Sequence, residues 1–334
     1  MENYIQHKAL ILKSSELKGT FVGTKISDGL LVLDDNKNYG YFKSEPIYIG
    51  EFNSLVFSWK LAAAKIPNNT PDICISVSYD LGEDEYSDFY SAGLWSIKTG
   101  ISSSHSLSDD NGNINTDTFF AYASSTQVVL KVELFANDVE STNTCGLEYI
   151  AITGDFETNE APLTDTDKVF IDVPCRSQMA VPKIGNVICS PTSVAMVLEY
   201  YGTNLPTTTV AHGVYDNGAQ IYGNWSFNTA YAASLGFNAY VDTFDLDTLK
   251  YTLSCGVPVI CSIATSDKTQ LEGSPMAYPS GHLVVACGYE QIGNTTYITF
   301  NDPAAPTDET VRRQYRADQF VRVWNGIVYI ITKS

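Results

Sequence analysis

The 334-residue sequence has little positive charge: 20 lysines and arginines stand against 38 aspartates and glutamates, a formal net charge of −18. The deficit is uneven. Residues 1–165 hold 10 lysines, no arginine and 24 acids, and the first arginine is Arg176. Such a surface repels phosphate backbones and anionic headgroups, which argues against nucleic acid or a membrane surface as partner. Solubility is the plainer reason for the acidity. The seven cysteines form no Cys-x-x-Cys and no paired spacing, so neither a disulfide framework nor a metal site is encoded, and no cofactor is expected. Apolar runs such as Leu283 to Cys287 have the length of a buried strand and fall far short of a membrane span. The start, Met-Glu-Asn-Tyr-Ile-Gln-His-Lys, lacks a basic leader and an apolar core; it reads as cytoplasmic, or as secreted if a leader has been removed.

What is present is an ordinary globular composition, 44% apolar and 17% charged, long enough for two domains. Residues 1–155 read as an acidic all-β sandwich, jelly-roll-like. Leu30 to Leu33, Ser54 to Leu61, Asp72 to Tyr79 and Gln127 to Phe135 are short runs separated by Gly, Asn and Asp turns. Residues 73–79, Ile-Cys-Ile-Ser-Val-Ser-Tyr, alternate with period two, as a half-buried strand does. Residues 156–168, polar and acidic, are the linker.

From 169 to 334 the pattern changes to α+β, helices first and an antiparallel sheet after. Ser190 is the expected N-cap, Pro191 the first helical residue, and Gly202 lies past the end. Asn228 to Leu235 and Asp245 to Ser254 are further helices. Pro258 to Ile263, His282 to Tyr289, Thr296 to Asn301 and Gly326 to Thr332 are strands, with Trp324 anchoring the last.

Three residues at element ends carry the chemistry. Cys189 opens the Ser190 helix, where free backbone N–H groups and the dipole favour a thiolate. His282, in Ser280-Gly281-His282, is one of only four histidines and heads an apolar strand. Asp302, in Asn301-Asp302-Pro303, closes another strand. Singly each has a bland reading: an inert thiol, a structural imidazole, a turn carboxylate. Together, in that order, they encode a nucleophile, its base and an orienting group. Gln178, ahead of the cysteine, suits a donor to the oxyanion beside the Cys189 N–H. Cys175 is a weaker nucleophile because no helix follows it.

These segments carry a resemblance. Asp172-Val173-Pro174, Ser177-Gln178-Met179, Cys189-Ser190-Pro191-Thr192-Ser193, Gly281-His282 and Asn301-Asp302-Pro303-Ala304 resemble the papain-like cysteine peptidases, in the branch similar to the bacteriocin-processing (double-glycine leader) peptidases. Gly213-Val214-Tyr215-Asp216, Gly223 to Tyr231 and Val311 to Tyr315 look like a soluble bacterial subgroup with a β-rich module in front. Phe57-Ser58-Trp59 and Asp117-Thr118 are similar to parts of that module. The resemblance implies a papain-like fold, with Cys189 as nucleophile, His282 as base, Asp302 as orienter and Gln178 as oxyanion donor. Two departures stand out: Ser190 follows the nucleophile where the wider family often has glycine, and no transporter segments are present.

The leading expectation is a cysteine hydrolase acting on peptide or related amide bonds. Trp225, with Asn224 and Tyr222, suits one wall of a substrate groove, and Gly281 is a further substrate-binding candidate; core packing serves Trp225 equally well. One rival keeps the same residues for acyl transfer or amidase chemistry. Another is a catalytically idle protein binding glycan or cell-wall polymer through its first domain, with Trp59, Trp95 and the tyrosines stacking on sugars or, more commonly for such residues, filling the core. No Gly-x-Ser-x-Gly surrounds Ser190 or Ser193, which removes the serine hydrolase.

Overall fold

The computed structural model describes residues 8–62, 70–83, 85–136, 145–156, 164 and 166–334. Most of the linker expected at 156–168 lies outside them. The chain divides into two units: one holds the described residues of Ala9–Thr158 with Gly213–Val241, the other Lys8 with those of Asn159–His212 and Asp242–Ser334. Among the described residues no helix is long and apolar enough to cross a membrane.

The first unit is antiparallel β structure in which one long strand, Thr118–Phe135, organises the rest. Its N-terminal stretch pairs with Ile47–Leu61; after two register shifts, residues 131–135 run between Asp72–Gly82 and Tyr39–Ser44. Irregularities of this kind bend a strand and let it change partners. Ile73, Ile75, Val77 and Tyr79 alternate into the core, where they meet Val128, Leu130, Val132 and Leu134. Trp59 and Trp95 lie in this same core at 1% and 0% exposure, so neither can stack on a sugar.

Residues 213–241 count with this unit although they follow the nucleophile helix in sequence. The helix α3, Trp225–Ser234, sends Phe227 and Ala230 into the same apolar cluster. Asp117 accepts the Trp225 N–H at 2.5 Å, placing a carboxylate at the helix's positive end. The first unit is therefore not contiguous in sequence.

In the second unit the strands Trp324–Lys333, Val259–Thr265, Tyr278–Ile292, Thr295–Asn301 and Arg312–Arg316 lie side by side in that order, with Lys168–Phe170 added to Tyr278–Ile292. The helix α1 is Cys189–Tyr200, and Ser193 donates to the Leu283 carbonyl at 3.1 Å, pinning it to the central strand. The helix begins two residues earlier than the Ser190 cap implied. The Ile188 carbonyl accepts both the N–H and the hydroxyl of Thr192, at 3.0 and 2.7 Å, and Ser190 sits inside the first turn against the Tyr329 hydroxyl at 3.0 Å. Asp245 caps its helix, Leu246–Ser254, as its sequence position suggested. Thr207–Val214, Ala317–Val323 and the strand Arg312–Arg316 were not expected from the sequence. Trp324 stacks on Phe320 at 4.8 Å at the start of the terminal strand.

Candidate active site

Cys189 is the first residue of α1 and is half-buried, while His282 and Asp302 are buried. His282 is not at the start of its strand but five residues in. Between Ile263 and Thr265, two residues apart, the opposing positions run from His282 to Tyr278, four apart. The surplus is a bulge through exposed Pro279, Ser280 and Gly281, and Gly281 adopts φ +88, open to glycine at little cost. A bulge here re-aims the residue that follows it.

The imidazole Nε2 lies 2.8 Å from Asp302 Oδ1, leaving Nδ1 as the nitrogen available to the thiol. Asp302 is saturated with donors. Oδ1 also accepts the Ala304 N–H at 3.0 Å, and Oδ2 accepts the hydroxyls of Tyr278 and Tyr315, each at 2.7 Å. Burial would raise this carboxyl's pKa, but the His282 charge and these hydrogen bonds outweigh it and hold it below the usual range. Burial likewise opposes protonation of His282; Asp302, by charge and hydrogen bond, and then Cys189 reverse that and push the imidazole up. For Cys189 burial again opposes the charged form. The His282 hydrogen bond and charge, with backbone groups of Leu283 and Ser190, overcome it and lower the thiol. Cys74, Cys145, Cys175, Cys261 and Cys287 go the other way, each raised by burial. That contrast separates Cys189 from Cys175.

Gln178 is buried at the start of a single helical turn, Gln178–Ala180. Its N–H donates to the Pro303 carbonyl at 2.8 Å, and Ser177 donates through its N–H to Asp308 at 2.6 Å and through its hydroxyl to Ala305 at 2.5 Å. Arg176 grips Glu199 at the end of α1, with contacts at 2.8 and 2.6 Å. The Gln178 segment is thereby tied both to the chain after Asp302 and to the nucleophile helix. Its Oε1 is buried with no hydrogen-bond partner among the described residues. Gly185 permits the close return of the chain, since a Cβ there would lie 2.6 Å from the Gln178 carbonyl oxygen. Gly185→Ala is expected to destabilise the protein by about 1–3 kcal/mol, read as a lower urea midpoint.

Tyr222, Asn224 and Trp225 belong to the first unit. Asn224 is buried, caps α3 by accepting the Phe227 N–H at 3.0 Å, and donates to Asp216 at 2.9 Å. The Tyr222 carbonyl accepts from Asn228 and its ring packs on Tyr215 at 4.8 Å. Asn224 and Tyr222 thereby help hold that unit's fold, and the backbone N–H of Trp225 is held by Asp117. Sequence reasoning missed Tyr278 and Tyr315. A tyrosine four residues before the histidine was the available signal, but regular strand geometry gives no reason to bring the two together.

A helix opening on a cysteine, packed on an antiparallel sheet that carries a paired His and Asp, belongs to the class of papain-like cysteine peptidases. More particularly, residues 170–331 match the model of the Peptidase_C39 like family. Solved structures similar to the chain include the peptidase domain of Streptococcus ComA, a bifunctional ABC transporter involved in a quorum-sensing pathway. It is 19% identical over 46% of this chain and 97% of that one, with a TM-score of 0.34. Xylellain, a cysteine protease from Xylella fastidiosa, is 12% identical over 53% of this chain and 91% of that one, at 0.34. Digestive procathepsin L 3 of the Tenebrio molitor larval midgut is 12% identical over 54% and 73%, at 0.30. No curated protein matches the chain.

Proposed function

We propose that the second unit cleaves peptide bonds through a Cys189 acyl-enzyme. The observation that carries this reading is the buried His282–Asp302 pair at 2.8 Å beside a thiol whose pKa is lowered while those of its buried counterparts are raised. The thiolate attacks the scissile carbonyl carbon, forming the C–S bond and an oxyanion. The Cys189 N–H and the Gln178 amide donate to that oxyanion. As the C–N bond breaks, the His282 imidazolium gives its proton to the leaving amine. The neutral imidazole then takes a proton from water, whose oxygen displaces the thiolate and frees the acid. Asp302 keeps the ring aligned and its charged form favoured throughout.

One feature supports Gln178 in this role: its backbone N–H is hydrogen-bonded to the carbonyl of Pro303, the residue after Asp302, which ties the segment to the catalytic carboxylate. Gln178→Ala is expected to lower kcat/KM about 100-fold on a peptide substrate. Alkylation of Cys189 by iodoacetamide should stay at the wild-type rate, because that reaction develops no oxyanion. Equal losses in both assays would assign Gln178 to the fold instead. Incubation with a peptide library, followed by mass spectrometry of the products with and without added amines, tests hydrolysis against acyl transfer. Free carboxyl termini support the peptidase reading; amide products support a transferase.

The first unit is read as a β-sandwich that brings the peptidase to its target, with glycan or cell-wall polymer as ligand. The exposed Tyr48 and Tyr122, 73% and 57% accessible, are the aromatic faces suited to sugar rings now that Trp59 and Trp95 are assigned to the core. Polysaccharide pull-down with Tyr48→Ala and Tyr122→Ala variants tests it, and wild-type protein that binds no polymer would end this part of the reading.

A further inference from the structure

We propose that Tyr278 is a positioning residue of the peptidase site, its ring covering the His282 imidazole while its hydroxyl holds the carboxylate that orients that imidazole. The inference rests on the cysteine-peptidase reading above. Tyr278 and His282 are on one strand, four residues apart. Four residues of regular strand span about 13 Å, yet the two rings stack with centroids 3.9 Å apart and planes 12° from parallel. The bulge at Pro279-Ser280-Gly281 removes that separation. The same tyrosine then reaches Asp302 Oδ2 at 2.7 Å. One side chain thus touches both members of the pair, and its ring shields the Nε2–Oδ1 bond on one face.

The division of labour between the two tyrosines follows. Tyr315 donates to the same oxygen at the same distance, and its ring packs on Phe300 at 5.6 Å, away from any stacking on the imidazole. Loss of one phenol leaves Oδ2 with the other. Loss of the Tyr278 ring has no such substitute: water reaches the His282–Asp302 bond, which eases the burial penalty on the imidazolium but also screens the Asp302 and Cys189 interactions that together outweigh that penalty, so the net upward shift shrinks towards the ordinary imidazole value. The groups facing this ring are Cys189 from α1, Asp302 from the end of the neighbouring strand, and Tyr278 from its own strand. Tyr315 and the charge of Arg313 act through Asp302 and the phenols.

The test is the pH dependence of Cys189 alkylation by iodoacetamide, followed on the Cys189 peptide by mass spectrometry. The upper inflection marks loss of the His282 proton. Tyr278→Phe keeps the ring and is expected to leave that inflection within about 0.3 pH unit of wild type, as is Tyr315→Phe. Tyr278→Leu removes the ring and should move it down by about one unit or more, which is about a tenfold change in the imidazole's proton affinity. A merely structural tyrosine would change thermal stability and leave the inflection in place. The proposal is overturned if Tyr278→Leu folds and titrates like wild type, or if Tyr278→Phe alone, which preserves shape, moves the inflection by a full unit. A wild-type thiol with no low-pH reactivity would instead remove the peptidase reading beneath it.

Discussion

Replacing Asp302 with alanine is expected to lower kcat about 10,000-fold and to cost stability as well. The side chain is fully buried and receives His282, the Ala304 N–H and two phenols. Removing it strands an imidazole and two hydroxyls in an apolar setting, a loss of about 3 kcal/mol. Asp302→Asn separates the two consequences. The amide oxygen still accepts from Nε2–H, and its NH2 group meets two phenol oxygens that are able to accept. Its fold should therefore survive with a loss of about 1 kcal/mol, while the charge that favours the imidazolium is gone. The variant's upper pH limb of activity should then fall towards the ordinary imidazole range of about 6.5. Activity and chemical denaturation measured on both variants check the pair of expectations; equal stability loss in Ala and Asn would contradict the account of the phenols.

The same cluster sets a pH dependence of stability. Asp302 has a folded pKa below its unfolded one, so its contribution is present above about 4 and is lost as pH falls through the lower folded value. His282 has a raised pKa, so its contribution is complete below about 6.5 and is lost as pH rises from there towards the folded value of about 10. Both contributions are complete between about pH 4 and 6.5. A urea midpoint that falls from mildly acid to alkaline pH in wild type, and falls less in Asp302→Asn, is the expected signature.

The second large effect belongs to Cys189. Cys189→Ala should abolish turnover, a loss of about a millionfold, because the covalent step has no other nucleophile. Cys175 does not substitute: burial raises its pKa, and its sulfur is engaged with the Asn301 side-chain oxygen at 3.6 Å. Fold stability should change by no more than about 1 kcal/mol, since a half-buried thiol leaves little void. Residual cleavage that persists through repurification would show that another group does the chemistry.

Much of this arrangement was legible in the residue order. A cysteine ahead of Ser-Pro and an Asp-Pro after an apolar run each mark an element end, and element ends are where a fold converges; the histidine before its apolar run was legible too, although it lies inside its strand. The helix read over Asp245 to Ser254 was legible for the same local reason. What escaped depends on contacts distant in sequence. The Ser190 cap failed because Tyr329, 139 residues on, takes the hydroxyl. The packing of α3 escaped because its apolar face is completed by β strands far earlier in the chain. Tyr278 was invisible because the bulge that folds it onto His282 breaks strand periodicity, and Gly281 alone does not announce it. The assignment of Arg312–Arg316 to a strand likewise depends on its pairing with Thr295–Asn301, for its charged residues give no strand signal.

The claim on which the rest depends is that His282 holds the Cys189 sulfur as an anion. Alkylation of Cys189 measured from about pH 4 to 10, in wild type and in His282→Ala, tests it without any knowledge of the substrate. The account predicts a wild-type inflection well below the free-thiol value of about 8.5, and its return to that range when the imidazole is removed. A single inflection near the free-thiol value in both proteins would contradict it.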